Sequence, residues 1–144
     1  YWKTSSVDYQ NILIHDSARP CVRSSDIRAM LEDFCSGGHD GAVLGSPVSD
    51  TLKKIDPKNL DVIRTVDRKD LWKVYTPQVF ERGILEAVFE KLEEGKEFTD
   101  ESGMLEESLG QIKTHLGSTD NIKITHPEDL NLVKSILTAQ GRIF

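Results

Sequence analysis

Short apolar runs alternate with amphipathic helical stripes along this chain, and this alternation limits the available folds more than any other feature. Residues 11–14 form an apolar run that stops at His15, and residues 41–48 form a second run. Between them, a serine at position 24 or 25 can cap a helix. Its apolar side chains recur at helical spacing, namely Ile27, Met30, Leu31 and Phe34. Strands that alternate with helices in this way predict a layered α/β domain.

Residues 49–68 differ from the rest because polar and apolar side chains alternate on both sides of a turn signal at residues 56–59. This pattern predicts a β-hairpin. The hairpin contains few apolar residues, so it cannot bury much of its own surface. We therefore expect it to project from the body of the domain, towards a partner subunit.

The C-terminal part of the chain is predicted to contain short strands at residues 111–115 and 121–124, followed by a last helix. Thr125 and Glu128 have the spacing of a capping box at the start of that helix. The last helix is expected to bury four apolar side chains, namely Leu130, Val133, Ile136 and Leu137.

The acidic balance of the chain excludes some classes of function. The 144 residues carry a formal net charge of −6, whereas non-specific nucleic-acid binding requires a basic face. A phosphate ligand is compatible with this charge because it needs only a few cations in a cleft. The longest apolar run is a few residues, which is too short to span a bilayer. We therefore expect neither a nucleic-acid partner nor a membrane partner.

The first residues and the cysteines indicate the compartment. The start of the chain lacks the pattern of a signal peptide and does not begin with Met, so we expect further residues upstream. Cys21 and Cys35 match no zinc-binding spacing. Two reduced thiols in a cytosolic compartment are the expectation, and a disulfide between them is the alternative.

Three polar clusters lie where an apolar strand ends or a helix begins. They occupy residues 15–20, 76–78 and 120–125. Ligands of open α/β sheets bind outside the carboxyl ends of the strands. The clusters are therefore the places where a site is expected.

The charged side chains of these clusters each allow two interpretations. Asp16 could hold a hard cation such as Mg²⁺, or it could cap a turn. Arg19 could bind a phosphate through its guanidinium, or it could form a structural ion pair. Lys123, in an otherwise apolar segment, either meets an anion or extends to the surface. Arg68 stands beside Asp67 near the base of the hairpin, where a solvated pair is the usual interpretation.

Five blocks of the chain, taken together and in order, resemble the methylerythritol phosphate cytidylyltransferase family. Residues 14–20 (Ile-His-Asp-Ser-Ala-Arg-Pro) are similar to the family's His-Asp-Ala-Ala-Arg-Pro signature, and residues 47–53 resemble its Pro-Val-x-Asp-Thr-x-Lys segment. Residues 65–80 are similar to its Arg-x-x-Leu-Trp and Thr-Pro-Gln-x-Phe block, and residues 98–101 to its Thr-Asp-Asp/Glu turn. Residues 120–130 resemble the closing Asn-Ile-Lys-x-Thr-x-Pro-Glu-Asp-Leu signature.

The resemblance implies a Rossmann-like nucleotidyltransferase fold, with three α/β/α layers around a mostly parallel sheet. It also implies a homodimer joined through a β-arm at residues 49–68. In the family, the arm's arginine, here Arg68, reaches the neighbouring subunit's site, and Lys123 joins it in positioning the substrate phosphate. Asp16 corresponds to the acid near the metal and the reacting phosphates, which makes these three the catalytic candidates. Ser17 stands close to the nucleotide, where the family usually has Ala. The resemblance assigns five further residues to the substrate, namely Thr51, Arg19, Thr76, Thr99 and Asp120.

The implied reaction transfers a cytidylyl group from CTP to 2-C-methyl-D-erythritol 4-phosphate, with Mg²⁺ as cofactor. The products are 4-diphosphocytidyl-2-C-methyl-D-erythritol, an intermediate of the non-mevalonate isoprenoid pathway, and pyrophosphate. The implied location is the cytoplasm of a bacterium or the stroma of a plastid. Other acceptors, such as ribitol 5-phosphate, remain an alternative, and a metal-dependent phosphohydrolase built on Asp16 is a weaker one.

One element of the family pattern has no counterpart in the 144 residues. The family begins with a strand and a Gly-rich loop whose Arg and Lys hold the triphosphate, and nothing here resembles that loop. We therefore expect residues 1–144 to be part of a nucleotidyltransferase domain. Alone, they are expected to be inactive, or to act only as a dimerisation module.

Overall fold

The computed structural model describes residues 9–91, 100–108 and 110–142 of the chain. These residues form six strands and four helices. In chain order they are β1 (Asn11–Ile14), α1 (Ser24–Cys35), β2 (Gly41–Pro47), β3 (Leu52–Ile55), β4 (Val62–Val66), β5 (Trp72–Glu81), α2 (Arg82–Lys91), α3 (Glu101–Glu107), β6 (Ile112–Leu116) and α4 (Asp129–Ala139). Strands β2 to β5 follow one another without a helix between them.

The main sheet has the strand order β1-β5-β2-β6. β5 pairs in antiparallel fashion with both β1 and β2, whereas β2 and β6 are parallel. Consequently β1, β2 and β6 run in one direction and β5 runs against them. The α/β prediction is confirmed, and the described sheet is mixed, with most of its strands running in one direction.

An irregularity in β5 lies at the centre of this sheet. Val43 of β2 is opposite Gln78, but the next residue of β2, Leu44, is opposite Tyr75, so Thr76 and Pro77 have no opposite residue on β2. Proline lacks a backbone N–H and is compatible with a sheet mainly at edges or bulges. The last residue of β1, Ile14, pairs with Gln78. The irregularity at Pro77 therefore leaves Thr76 two residues before that pair, beyond the end of β1.

Helices cover both faces of the sheet and bury two hydrophobic clusters. On one face α1 contributes Met30 and Phe34, which pack against sheet residues including Leu44 and Val79. On the other face α2 and α3 pack around Phe80. Burial of such side chains contributes on the order of 1.5–3 kcal/mol each, so these clusters fix the helices to the sheet.

A third cluster joins the C-terminal helix to the loop that follows β1. Cys21, Val133 and Leu137 are buried there, with the partly buried Ile122 and Ile124 against them. Cys21 is a free thiol whose pKa is raised by burial, and the free thiol of Cys35 is exposed. The expected pair of reduced thiols is confirmed.

Strands β3 and β4 form a separate two-stranded antiparallel sheet, the arm. The hairpin predicted at residues 49–68 is therefore confirmed. Its apolar side chains are largely exposed, with relative exposures of 71% at Leu60 and 61% at Val62. None of the helices among the described residues has both the length and the apolar content needed to cross a bilayer.

The C-terminal segment corrects three predictions. Residues 121–124 are not a strand, because Ile122 N–H bonds within its own turn and only Ile124 N–H reaches the neighbouring loop, at the Ala18 carbonyl. Glu128 does not complete a capping box; the carboxylate of Asp129 accepts hydrogen bonds from the N–H groups of Thr125 and His126 instead. Leu130 is half-exposed rather than buried.

Candidate functional site

The Asp16 carboxylate lies immediately beyond β1, where the strand gives way to a tight turn. Its Oδ1 accepts a hydrogen bond from Ala18 N–H at 2.9 Å, and its Oδ2 lies 2.8 Å from Lys123 Nζ. The Lys123 ammonium, followed by the Ala18 bond, lowers the pKa of the Asp16 carboxyl. Asp16 is therefore ionised at neutral pH, and Lys123 meets an anion, which was one of the two interpretations of this lysine.

The Thr76 hydroxyl connects β5 to the loop after β1. Thr76 Oγ1 accepts a hydrogen bond from Asp16 N–H at 2.9 Å and lies 3.1 Å from His15 Nδ1. His15 Nε2 lies 3.1 Å from the Arg19 carbonyl, which can only accept. His15 therefore donates from Nε2 to the Arg19 carbonyl, and its Nδ1 forms a second hydrogen bond with the Thr76 hydroxyl. These bonds fix the hydroxyl of a residue that the sequence assigned to the substrate.

Arg19 is held by both a carbonyl and an aromatic ring. Its Nη1 donates to the Asn121 carbonyl at 2.8 Å, and its guanidinium carbon lies 5.6 Å from the centre of the Tyr75 ring. Burial lowers the pKa of the Arg19 guanidinium, but arginine remains cationic at any physiological pH. The side chain thus combines a structural role with a positive charge next to Asp16.

Asn121 is almost completely buried and contacts the same strand end. Its Nδ2 donates to the Thr76 carbonyl at 2.8 Å. Its Oδ1 is buried without a hydrogen-bond partner among the described residues. Buried polar atoms are usually paired, so this oxygen is an exception that requires an explanation.

A cleft of about 480 Å³ lies beside these groups. It is lined by Arg19, Ser46, Lys73, Val74, Tyr75, Thr119, Asn121, Ile122, Lys123 and Thr125. The sequence singled out Arg19 and Lys123 but missed Lys73, Tyr75 and Asn121. Asn121 fell within the polar cluster at residues 120–125, so its position was a usable signal. Tyr75 lies inside a strand and gave none.

The remaining candidate residues lie around or away from this cleft. Ser17 is exposed beside Asp16, as its position in the turn requires. Asp120 pairs with the Arg23 guanidinium at the surface. Arg68 and Thr51 are exposed at the base of the arm, where Arg68 donates to the Ser49 carbonyl, and neither residue lines the cleft.

Thr99 lies outside the described residues, but its neighbour Asp100 is described. Asp100 caps α3, accepting hydrogen bonds from Gly103 N–H, Ser102 and Gln78. These bonds join the start of α3 to β5, two residues beyond Thr76.

The acidic side chains of the described site do not form a metal-binding cluster. No group of three or more His, Cys, Asp or Glu side chains within residues 9–91, 100–108 and 110–142 could bind an ion. Asp16 offers carboxylate oxygens beside the cleft, next to the cations of Arg19 and Lys123. The described site is therefore mainly cationic and suited to binding a phosphate-bearing ligand.

The sequence of this chain is similar to that of a known enzyme family. The family model described as 2-C-methyl-D-erythritol 4-phosphate cytidylyltransferase matches residues 3–139. The enzyme of that name from Klebsiella pneumoniae is 41% identical over 130 residues, which are 90% of this chain and 55% of the relative. The one from Citrobacter koseri is 39% identical over 132 residues, or 91% of this chain and 57% of the relative. The chain thus spans little more than half the length of the curated relatives it matches.

Solved structures give the same result for the fold. The Thermus thermophilus enzyme of the same name superposes with a TM-score of 0.80 at 28% identity, covering 92% of this chain and 64% of that one. The Francisella tularensis enzyme gives a TM-score of 0.77 at 29% identity, covering 92% and 63%. The predicted Rossmann-like nucleotidyltransferase fold is confirmed.

Proposed function

The chain belongs to the 2-C-methyl-D-erythritol 4-phosphate cytidylyltransferase family, and from this premise we propose that the whole protein transfers a cytidylyl group from CTP to 2-C-methyl-D-erythritol 4-phosphate. The observation that carries the proposal is the Lys123–Asp16 ion pair beside Arg19, next to the cleft at the ends of β1 and β2. The identity of the substrates is proposed from the family. The positive charges at the cleft explain how two phosphate groups could come into contact there.

The reaction joins two polyanions, and their repulsion is its main physical obstacle. A phosphate oxygen of the acceptor attacks the α-phosphorus of CTP. The bond from that phosphorus to the bridging oxygen breaks, and its electron pair leaves with pyrophosphate. Such transfers depend on positioning and charge neutralisation, with little covalent participation of the protein.

Lys123 is proposed to position the acceptor phosphate. Its ammonium has three donors, of which the Asp16 carboxylate at 2.8 Å takes one. The side chain is half-exposed, so the other donors are accessible to a ligand in the cleft. Arg19 adds a second positive charge, while its bond to the Asn121 carbonyl limits its movement.

Mg²⁺ is proposed as the cofactor, with Asp16 as the protein ligand. Mg²⁺ commonly binds through one or two carboxylates together with substrate phosphates, and an ionised carboxylate at the edge of the cleft fits that pattern. When bound, the ion would neutralise phosphate charge. Asp16 would share its oxygens between this ion and Lys123, and Ser17 is proposed to lie against the nucleotide.

A homodimer joined through the arm is proposed from the arm's surface. Leu60, Val62 and Ile63 expose more than half of their side-chain surface, and the arm forms its own sheet. Contact with a second copy would bury these side chains. It would also carry Arg68 from the base of one arm to the other subunit's cleft, where the family pattern places it. Thr51, also at the base of the arm, is proposed to contact the substrate.

We further propose that residues 1–144 form part of a nucleotidyltransferase domain, with the triphosphate loop supplied outside this sequence. The difference in length from the relatives supports this, since the chain covers 55% of the Klebsiella pneumoniae enzyme. The proposed location is the bacterial cytoplasm, or the plastid stroma of a eukaryote. The substrate-binding roles of Thr76, Thr99 and Asp120 remain part of the same proposal.

Steady-state kinetics of the full-length native protein test this function. We expect activity with CTP and 2-C-methyl-D-erythritol 4-phosphate, and a decrease of at least about tenfold in turnover for Lys123→Ala and for Arg68→Ala. The exposed Lys134 on α4 and Arg64 on the arm give matched controls, Lys134→Ala and Arg64→Ala. Activity only with another acceptor such as ribitol 5-phosphate, or near-wild-type rates in both site variants, would contradict the assignment.

A further inference from the structure

We propose that Asn121 is a positioning residue that aligns Thr76 with the Arg19 and Lys123 cations, so that the acceptor phosphate is bound in a reactive orientation. The inference rests on the proposed function because it names the substrate whose handling Asn121 would control. It concerns a residue two positions before Lys123 in the loop that lines the cleft.

Asn121 contacts two sides of the site at once. Through its side chain, it donates from Nδ2 to the Thr76 carbonyl at 2.8 Å. Through its backbone, its carbonyl accepts from Arg19 Nη1 at 2.8 Å, and its N–H donates to the Ser118 carbonyl at 3.1 Å. A single residue therefore joins the irregular part of β5 to the arginine of the loop after β1.

These contacts belong to a closed ring of interactions. Asn121 holds Thr76, the Thr76 hydroxyl accepts from Asp16 N–H, and the Asp16 carboxylate pairs with Lys123. The backbone between Lys123 and Asn121, which are two residues apart, completes the ring. A shift of the Thr76 backbone would therefore displace the Asp16 turn and, with it, the ammonium that is proposed to bind phosphate.

The Oδ1 of Asn121 has no hydrogen-bond partner in the part of the chain that the structure describes, which supports a role in placement over one in folding stability alone. Asn121 is only 3% exposed, and a buried acceptor that finds no partner among the described residues is unfavourable. An apolar side chain would avoid that cost but could not hold the Thr76 carbonyl. The Oδ1 atom has almost no accessible surface, so the side-chain amide acts on a ligand through Thr76, while the backbone carbonyl of Asn121 holds Arg19.

The kinetic test uses Asn121→Ser in the full-length native protein, since serine fits the space but cannot reach the Thr76 carbonyl. The matched control is Asn131→Ser at an exposed position of α4. We expect kcat/KM for 2-C-methyl-D-erythritol 4-phosphate to fall at least about tenfold, while KM for CTP changes less than about twofold and the control matches wild type. Unchanged constants, or an equal loss for both substrates, would overturn the inference.

A second readout does not depend on activity. In ¹⁵N-resolved NMR, Asn121→Ser should shift the Asp16 backbone amide signal and weaken the binding of inorganic phosphate several-fold. Asn121→Thr, which is closer in volume, replaces the serine variant if that one does not fold. An inactive wild-type protein would refute the proposed function only, and the phosphate titration would still decide the role of Asn121. An unchanged Asp16 amide signal together with unchanged phosphate binding would refute the positioning role of Asn121.

Discussion

The pairing of Lys123 with Asp16 is the residue-scale feature on which the site depends. The ammonium lies 2.8 Å from a carboxylate that also accepts a backbone hydrogen bond. Both groups are partly accessible, so the ion pair contributes little to stability, and its importance lies in holding two opposite charges at the edge of the cleft. A ligand phosphate can then compete with Asp16 for the lysine.

Removing the lysine charge should be visible in the titration of Asp16. We expect Lys123→Met to raise the pKa of the Asp16 carboxyl towards its ordinary value of 3.8, because the ammonium is the largest cause of the lowering. The Ala18 N–H bond remains and keeps part of the effect. A ¹³C NMR titration of the carboxyl carbon measures the change, with Lys134→Met as control. An unaltered Asp16 titration would contradict the pairing.

The sequence singled out three charged residues that the structure brings together, Asp16, Arg19 and Lys123, but it did not single out Lys73 in the cleft lining. Asp16, Arg19 and Lys123 could be found because charges at strand ends are costly without partners. The roles of Asn121 and Tyr75 depend on contacts with residues distant along the chain, such as the bond from Asn121 to Thr76. Local patterns contain no information about such contacts.

At the scale of elements, the start of α4 depends on a single carboxylate. Asp129 Oδ2 accepts from Thr125 N–H at 2.8 Å, Thr125 Oγ1 at 3.2 Å and His126 N–H at 2.9 Å. The bonds to the Thr125 and His126 N–H groups lower the pKa of Asp129. The sequence analysis assigned the capping role to Glu128, which is acidic like Asp129 and adjacent to it. In the structure a turn occupies residues 126–128, so the helix begins one residue later than expected for that role, at Asp129.

The Asp129 carboxylate should make the stability of the protein depend on pH at the acidic end. A lowered folded-state pKa means that its stabilising contribution is complete above about pH 3.8 and is lost as pH falls through the folded-state value. We expect Asp129→Asn to lower Tm at pH 7 and to reduce the difference in Tm between neutral and acidic pH. Thermal unfolding followed by circular dichroism measures both, with Glu128→Gln as control because the adjacent Glu128 is exposed and its side chain makes no capping hydrogen bond. An unchanged difference in Tm between neutral and acidic pH in the variant would contradict the role of the Asp129 carboxylate.

The direction of β5 shows the limit of prediction at this scale. The sequence analysis assigns no strand to residues 71–80, but the structure has one there, Trp72–Glu81. That β5 lies between β1 and β2 and runs against both follows from the order of the sheet. A sequence pattern of period two is identical for either direction.

At the scale of the whole molecule, the arm and the main sheet have different proposed roles, dimer contact for the arm and ligand binding for the main sheet. Its strands pair with each other and belong to a different sheet from β1, β2, β5 and β6. The main sheet positions the cleft, and the arm presents exposed apolar side chains. In the proposed dimer, each cleft would therefore combine its own Lys123 with an Arg68 from the partner.

Mixing two inactive variants should restore activity if Arg68 acts across the dimer. In a heterodimer of Arg68→Ala and Lys123→Ala subunits, one site has both residues intact and the other has neither. After free subunit exchange we expect about one quarter of wild-type activity, since half of the dimers are mixed and each has one good site. Mass spectrometry of the intact dimers confirms the exchange. Full exchange without recovered activity would show that Arg68 acts within its own subunit.

The irregularity at Thr76 and Pro77 limits where insertions and deletions can occur in this protein. The turns that follow β1 and β6 end their strands, so a length change there would leave the strand register intact but would disturb the contact between Asp16 and Lys123. β5 instead passes through the site in mid-strand, with Thr76 at the cleft end and Gln78 to Glu81 paired to β1. One added residue in β5 would turn every later side chain to the opposite face of the sheet. Insertions and deletions among relatives should therefore be absent from this strand, and they should be found instead in the turn of the arm at residues 56–61, which does not line the cleft.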